Sequence, residues 1–421
     1  MSDPIKHECG IALLRLKKPL EYFVEKYGTA FYGVNKLHLL MEKQHNRGQD
    51  GAGVANIKLD MNPGERYISR IRSINKAPIQ DIFKQINSRF EDIYEKHPDK
   101  INDVEYLKKS AGFTGELFLG HLRYGTFGKN SKESCHPFLR QNNWITRNLV
   151  VAGNFNLTNV DELFEVLLKV GQHPKEKSDT VTVLEKIGHF LDVENDELYH
   201  RFKKEYDSNL EVYGQISEHI EIQKILKKAS EDWDGGYTMA GLLGHGDAFV
   251  LRDPAGVRPA FWYEDDEVCV VASERPAIQT AFNLQVDDIQ ELNPGHALIV
   301  KKNGLVKEHL INEPTVVSKC SFERIYFSRG SDKDIYTERK ELGRLIVEPV
   351  LDTIDHDLDN SVFSFIPNTA EISFYGMVKG LESHLNEKKI VQLQELGSNA
   401  NKEDFERIIN QRARIEKIAI K

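Results

Sequence analysis

The feature that most restricts the possible folds of this chain is a series of nine short segments, apolar or alternating in polarity, each bounded by turn-forming residues. They are Ala52 to Leu59, Tyr67 to Ile71, Leu117 to Leu122, Trp144 to Ala152, Tyr237 to Leu243, Ala248 to Arg252, Ala260 to Tyr263, Val268 to Ala272 and His296 to Lys302. Helical patterns lie at 21–48, 77–98, 159–171, 179–193 and 214–230. Asn303-Gly304 predicts a two-residue hairpin turn. Together these patterns predict antiparallel sheets with helices packed outside.

The pattern changes after about residue 335. Ser361 to Ile366 reads as a buried strand, Glu371 to His384 as a helix and Lys389 to Leu393 as a second strand. A strand, a helix and a strand in this order predict the start of a parallel α/β sheet.

Length and charge exclude several classes of protein. A chain of 421 residues favours two domains. No apolar run approaches the roughly 18 residues of a membrane span, and the first residues resemble no secretory signal, so the expected location is the cytoplasm. The 56 basic and 65 acidic residues give a net charge of −9, which argues against a nucleic-acid partner. The four cysteines form no Cys-x-x-Cys pair, which disfavours a zinc ribbon and a disulfide framework.

Two residues in the first third of the chain are candidates for chemistry. Cys9 precedes a short apolar run; it is either a buried strand cysteine or a nucleophile. If residues 1–8 were removed, its α-amino group would supply a general base on the same residue. Arg123 ends a predicted strand and is either a surface arginine or a two-hydrogen-bond anchor for a carboxylate.

Two further clusters lie at predicted element ends. Asn154 and the backbone N–H of Phe155 could form an oxyanion hole, although a turn with a helix cap explains the same residues. Asp179 opens a predicted helix, where it could hold a substrate ammonium group or serve only as part of a cap.

The order of these clusters resembles a known family. The motifs are Cys9-Gly10, Arg47-Gly48-Gln49-Asp50, Gly51-Ala52-Gly53, His121 to Thr126, the Asn154 cluster and Ser178-Asp179-Thr180. Together they resemble the class II glutamine amidotransferases. The resemblance implies the fold of the N-terminal-nucleophile (Ntn) hydrolases, an α+β sandwich with αββα layers.

Further motifs resemble the glutamine phosphoribosylpyrophosphate amidotransferases within that class. They are Trp233 to Tyr237, Leu251 to Pro259, Ala272 to Glu274, Pro294-Gly295 and Glu323 to Arg329. The resemblance runs through roughly residues 9–385, and 251–259 is its most specific part. It implies a glycosyltransferase that makes 5-phosphoribosylamine from glutamine and phosphoribosyl pyrophosphate in the first step of de novo purine synthesis.

The resemblance also implies roles for single residues. Cys9 would be the nucleophile, and Asn154 with the Phe155 N–H would form the oxyanion hole. The residues that would bind or adjoin glutamine are Arg123, Thr126, Asp179 and Arg47. Tyr326 would take part in coupling between two active sites.

The same resemblance suggests a division of the chain. Residues 1–8 would be a propeptide, 9–310 a glutaminase domain with a charged, helical insertion at about 78–115, and 311–421 a partial phosphoribosyltransferase-type α/β domain. No cofactor is expected for glutamine hydrolysis, whereas Mg²⁺ is expected with phosphoribosyl pyrophosphate if the transferase domain is completed. The expected partners are glutamine, phosphoribosyl pyrophosphate and further copies of the chain, with neither nucleic acid nor membrane.

Two departures from the family pattern keep alternatives open. Phe155 stands where the family usually has glycine, which questions the backbone conformation of the oxyanion loop. The acidic loop that binds phosphoribosyl pyrophosphate in the family is not found before Lys421. The alternatives are a catalytically silent relative that senses glutamine or binds a partner, and a class II amidotransferase for another acceptor. Retention of Cys9, Arg123, Asn154 and Asp179 together favours an enzyme.

Overall fold

The structure is a computed structural model, and it describes residues 9–125, 131–174, 176–397 and 400–419. The chain divides into two compact units: the first ends at Glu323 and the second begins at Arg324. Each unit is described by itself below.

Thirteen strands within the described part of the first unit form two antiparallel sheets. In chain order they are β1 Gly10–Leu16, β2 Gly51–Ile57, β3 Ile68–Ser73, β4 Leu117–Arg123, β5 Phe138–Arg140, β6 Leu149–Leu157, β7 Gly235–Leu243, β8 Ala248–Arg252, β9 Phe261–Glu264, β10 Val268–Ala272, β11 Gln290–Glu291, β12 His296–Val300 and β13 Val306–Leu310. One sheet has the order β11-β9-β10-β1-β4-β2-β3, and the other has the order β13-β12-β8-β7-β6-β5. The strand that follows Cys9 is therefore the middle strand of a seven-stranded sheet.

Helices cover the outer face of each sheet. Those of the first unit are α1 Leu20–Tyr27, α2 Tyr32–Lys43, α3 Pro78–Lys96, α4 Val104–Ser110, α5 Val160–Lys169, α6 Asp179–Phe202, α7 Asn209–His219, α8 Ile222–Ser230 and α9 Arg275–Phe282. Three predicted helices are wrong in extent: 21–48 and 214–230 each divide into separate helices, and the helix predicted at 179–193 continues to Phe202. In the first case Gly28 ends α1 in the left-handed conformation, with φ 74°.

Three apolar layers hold the sandwich together. Along β1, Ile11 and Leu13 face the core between the two sheets, whereas Leu14 and Leu16 face the helices on the outside. A third core lies between the six-stranded sheet and α5 to α8. A strand covered on both faces carries apolar residues without alternation, as the sequence of β1 does. The predicted αββα sandwich is confirmed.

The hairpin predicted at Asn303-Gly304 joins β12 and β13, but its turn differs from the prediction. Gly304 has φ 86°, whereas Asn303 keeps a negative φ, so the mirror-image two-residue turn is wrong. The N–H of Gly304 instead closes an ordinary turn on the Lys301 carbonyl at 2.9 Å.

The second unit contains helices and one short pair of parallel strands. Its elements are α10 Lys333–Leu345, α11 Val347–Thr353, β14 Val362–Phe363, α12 Glu371–Glu395, α13 Lys402–Ile409 and β15 Arg414–Ile415. The strand predicted at Lys389 to Leu393 is wrong, since α12 continues through it to Glu395. The parallel partner of β14 is β15, so the start of a parallel α/β sheet is confirmed with a different second strand.

No helix within the described ranges is long and apolar enough to cross a membrane.

Candidate active site

A cavity of 680 Å³ in the first unit brings together residues that are far apart in the chain. Cys9, Arg123, Phe155 and Asp179 all line it. A loop, the end of β4, β6 and the start of α6 supply these four residues. Four of the residues predicted to act on glutamine therefore surround one space.

Cys9 lies directly before the central strand β1, with 6% of its surface exposed. Its backbone nitrogen donates a hydrogen bond to Oδ1 of Asn154 at 3.2 Å. If the chain were cleaved before Cys9, this nitrogen would become the α-amino group, and the Asn154 carbonyl would hold it beside the thiol.

The amide group of Asn154 has a fixed orientation. Its Oδ1 faces Cys9, and its Nδ2 donates to Oε1 of Glu323 at 2.9 Å. An asparagine amide has two N–H groups, so one is committed to Glu323 and the second remains as a donor for an oxyanion.

Phe155 adopts the extended backbone of β6, opposite Tyr237 of β7. The N–H of Tyr237 donates to the Asp253 carboxylate, and its carbonyl accepts from the Asp253 N–H. Because both groups of Tyr237 face β8, its pair with Phe155 is one without hydrogen bonds. The N–H of Phe155 therefore points away from β7, to the open side of β6, and no left-handed φ is required there.

Arg123 ends β4 and is nearly buried, with 6% of its surface exposed. Its carbonyl accepts from the N–H of Asp50 at 3.1 Å, and the Asp50 carboxylate accepts from the N–H of Gly125 at 2.8 Å. The backbone at and directly after Arg123 is thus tied to Asp50, which fixes the position from which the guanidinium reaches the cavity.

Asp179 is the first residue of α6. Ser178 caps this helix by accepting from the N–H of Val181 at 3.3 Å. Oδ1 of Asp179 accepts from the N–H of Thr180 at 2.7 Å and from its hydroxyl at 3.2 Å. Asp179 is half-buried. Its second carboxylate oxygen can accept a hydrogen bond from a cation in the cavity.

Arg47 does not line the cavity. It is fully buried in an ion-pair network, with Nε 2.9 Å from Glu274 and Nη1 2.8 Å from Glu323. Arg258 reaches the other oxygen of Glu323 at 3.3 Å. Two guanidiniums therefore neutralise the carboxylate that holds Asn154.

The other predicted site residues lie elsewhere. Thr126 falls outside the described residues, as does the predicted propeptide 1–8. Tyr326 lies in the second unit and is half exposed, with its ring edge-on to Phe327 at 5.0 Å.

Sequence reasoning missed Glu323 and His136 as members of the site. Glu323 was visible only as part of a family motif. His136 follows Cys135 and lines the cavity, where its ring stacks on that of His121 at a centroid distance of 4.3 Å. Gly53 of β2 allows the backbone of His136 to approach this closely, because a Cβ on Gly53 would lie 1.9 Å from the His136 carbonyl oxygen.

Two other buried cysteines of the first unit have raised thiol pKa values. Burial raises the pKa of the Cys135 thiol, although Arg123 opposes the shift. Burial raises the pKa of Cys269 to about 12. Both thiols are therefore held protonated at neutral pH, and neither is suited to nucleophilic attack.

Within the described ranges, no group of three or more His, Cys, Asp or Glu side chains could hold a metal ion.

Curated proteins with similar sequences share one name. The chain is 28% identical to the amidophosphoribosyltransferase of Pasteurella multocida over 318 residues, which are 73% of this chain and 52% of the relative. It is 27% identical to that of Escherichia coli over 338 residues, 78% and 56% of the two chains. It is 24% identical to that of Methanocaldococcus jannaschii over 371 residues, 83% and 63%. The chain therefore spans about half to three-fifths of the length of these relatives. No family model matches it.

Two solved structures share the fold. One is described as glutamine phosphoribosylpyrophosphate amidotransferase from B. subtilis complexed with ADP and GMP; its TM-score is 0.55 at 22% identity, over 89% of this chain and 64% of that one. The other is described as the allosteric regulatory enzyme of purine biosynthesis, with a TM-score of 0.58 at 22% identity, over 88% and 63%.

The first unit has the αββα sandwich fold of the Ntn hydrolases, with a cysteine directly before its central strand. The similarity in sequence is more specific than the similarity in fold. Over 73–83% of its length, the chain is similar in sequence to amidophosphoribosyltransferases.

Proposed function

We propose that this chain hydrolyses glutamine to glutamate and ammonia at Cys9, as the glutaminase part of an amidophosphoribosyltransferase. The observation that carries the proposal is the shared cavity. It presents the Cys9 thiol, the Arg123 guanidinium and the Asp179 carboxylate to one small molecule. The side-chain amide of Asn154 accepts a hydrogen bond from the backbone nitrogen of Cys9. Glutamine carries the three complementary groups: a side-chain amide, an α-carboxylate and an α-ammonium.

Complementary charges bind the two α-substituents of glutamine. Arg123 pairs with the α-carboxylate through two parallel hydrogen bonds, and Asp179 accepts from the α-ammonium. These contacts set the distance from the α-carbon to the reacting amide. A shorter or longer amide would not reach Cys9 in the same pose.

Acylation is the first chemical step. The α-amino group of Cys9 takes the thiol proton, and the sulfur attacks the side-chain amide carbon of glutamine. The second N–H of Asn154 and the N–H of Phe155 stabilise the oxyanion. The intermediate collapses by breaking the C–N bond, and the leaving nitrogen takes the proton from the α-ammonium to depart as ammonia.

Deacylation completes the reaction. Water attacks the γ-glutamyl thioester, with the α-amino group of Cys9 accepting its proton and the same oxyanion hole stabilising the charge. The C–S bond breaks, glutamate forms and the thiol recovers its proton. The balance is glutamine plus water to glutamate plus ammonia.

The direct test is glutamate release by the purified chain. The chain that begins at Cys9 should hydrolyse glutamine, and Cys9→Ala should abolish hydrolysis without changing the thermal unfolding midpoint. Cys9→Ser, which replaces the thiol with a hydroxyl of similar size, is the matched control. Wild-type activity in Cys9→Ala would refute the assignment of the nucleophile.

We further propose that ammonia is passed to phosphoribosyl pyrophosphate, giving 5-phosphoribosylamine for purine synthesis, when the transferase domain is complete. The curated relatives and the parallel start of the second unit support this step. Residues 324–421 alone are not expected to perform it, because the acidic grip on the ribose hydroxyls is not found among them. Pyrophosphate release by this chain with glutamine and phosphoribosyl pyrophosphate would refute that expectation.

The remaining assignments also stay proposals. Mg²⁺ would accompany phosphoribosyl pyrophosphate, since the ion offsets the phosphate charge, and it has no part in glutamine hydrolysis. The domain limits at 310 and 311, coupling through Tyr326, assembly into a homo-oligomer and a location in the cytoplasm rest on the sequence and on the family.

A further inference from the structure

We propose that His136, in its neutral form with the proton on Nε2, is a positioning residue that joins the oxyanion strand β6 to the substrate-binding Asp179. This inference deepens the proposed glutaminase function and rests on it. It comes from a chain of hydrogen bonds on the cavity wall in which the backbone partners assign the donors and acceptors.

The backbone determines the protonation of His136. The N–H of Gly153 donates to Nδ1 of His136 at 3.1 Å. A ring nitrogen that accepts a hydrogen bond carries no proton, so the neutral ring holds its proton on Nε2. Nε2 lies 2.9 Å from the Thr180 hydroxyl and must donate to it.

The Thr180 hydroxyl continues the chain of hydrogen bonds in the same direction. Because its oxygen accepts from His136, its own proton is directed to Oδ1 of Asp179, 3.2 Å away. The opposite direction would need a proton on Nδ1, which would face the N–H of Gly153. The sequence of donors is therefore Gly153, His136, Thr180, with Asp179 as the last acceptor.

His121 completes the grip on the same strand position. Its Nε2 lies 3.1 Å from the carbonyl of Gly153, which can only accept, so His121 also carries its proton on Nε2. The two stacked imidazoles thus hold both backbone polar groups of the residue that precedes Asn154. His136 and Thr180 are nearly buried, with 8% and 5% of their surfaces exposed, so water competes little for these bonds.

The consequence is a connection between two functions of the site. A shift of β6 would move Asn154 and the N–H of Phe155 relative to the attacked carbonyl. A shift of Asp179 would move the α-ammonium end of the substrate. Holding both through one ring fixes the distance between the oxyanion hole and the substrate anchor.

Two substitutions of His136 separate hydrogen bonding from packing. Glutamine offers a fixed acceptor and a fixed donor in place of Nδ1 and Nε2, but it lacks an aromatic ring. Phenylalanine keeps the ring that stacks on His121 and lacks both polar atoms. We expect kcat/KM for glutamate release to stay within a few-fold of wild type in His136→Gln. We expect it to fall roughly tenfold or more in His136→Phe, with kcat and KM both affected. The reverse ranking would mean that packing is the role, and it would overturn the proposal.

Two substitutions of Thr180 change the site less than those of His136 and preserve the fold. In a Cys9→Ala background, calorimetry should show glutamine binding weakened several-fold by Thr180→Val and unchanged by Thr180→Ser, which retains the hydroxyl. Equal affinity of Thr180→Val and its parent would overturn the proposed connection.

Nitrogen NMR of histidine-labelled protein tests the same chain without any reaction. His136, assigned by loss of its signal in His136→Gln, should show an unprotonated Nδ1 and a protonated Nε2 at neutral pH; the other tautomer would refute the proposal. If wild-type chain released no glutamate while this tautomer and the Thr180 effect were found, the proposed function would fail and the positioning role would stand.

Discussion

Removal of the Glu323 carboxylate should affect both stability and catalysis. This side chain has 2% of its surface exposed, lies 2.8 Å from Arg47 and 3.3 Å from Arg258, and accepts from Asn154 at 2.9 Å. Breaking a buried ion pair by removing one partner costs about 3–5 kcal/mol. The lost hydrogen bond to Asn154 belongs to the same network, so its cost is not simply added. We therefore expect Glu323→Ala to lower the free energy of unfolding of the first unit by about 3–5 kcal/mol, against a usual total of about 5–15 kcal/mol.

Tryptophan fluorescence during urea unfolding measures this change selectively. All three tryptophans, Trp144, Trp233 and Trp262, lie in the first unit. The midpoint should fall while the slope of the transition stays constant, because the unfolded surface is unchanged. Glu323→Gln, which keeps the volume and an acceptor for Asn154, should give a smaller loss.

Glu197 supplies the control for this experiment. It lies in the same unit and contacts Lys224 at 2.6 Å, but half of its side chain is exposed. Glu197→Gln should leave the midpoint unchanged, since exposed ion pairs contribute little. The reasoning is refuted if Glu323→Ala unfolds within about 1 kcal/mol of wild type, or if Glu197→Gln costs as much as Glu323→Ala.

Four further substitutions have defined outcomes. Asn154→Ala should lower kcat for glutamate release by roughly 10²–10³ because it removes one oxyanion donor, and steady-state kinetics with unchanged kcat would contradict this. Arg123→Ala and Asp179→Ala should mainly raise KM, since each removes a substrate anchor; a loss confined to kcat would contradict that role. Lys58→Met should stabilise the first unit at pH 7. Burial, with help from Arg66, lowers the pKa of Lys58 to about 8, so the folded state holds this proton less tightly than the unfolded chain does. The gain, about 1–2 kcal/mol after allowing for solvent screening, should shrink as the pH rises from 8 to 10. A gain in unfolding free energy that is constant with pH would refute the assignment.

The sequence predicted those parts of the fold that depend on short segments of the chain. The strands of both sheets are short apolar runs between turn residues, and most were recognised within a few positions of their ends. Lys389 to Leu393 was misread because Ile390 and Val391 favour strands in isolation. No glycine or proline follows His384 before Glu395, so α12 continues through this segment, where both side chains are about half exposed.

Contacts between distant positions could not be predicted in this way. His136 lies in the loop before β5, Gly153 on β6 and Thr180 on α6, and no periodicity connects them. Arg47 was placed beside glutamine by the family resemblance, whereas its guanidinium lies in a buried network with Glu274 and Glu323. Such groupings arise from sheet order and strand register, which local pattern does not determine.

The measurement that tests the central proposal most directly is glutamate release from glutamine, recorded together with the intact mass of the same preparation. We predict that active protein begins at Cys9, that cleavage between Glu8 and Cys9 accompanies the appearance of activity, and that Cys9→Ala releases no glutamate. Full glutaminase activity in protein whose mass still includes residues 1–8 would contradict the use of the Cys9 α-amino group as the general base.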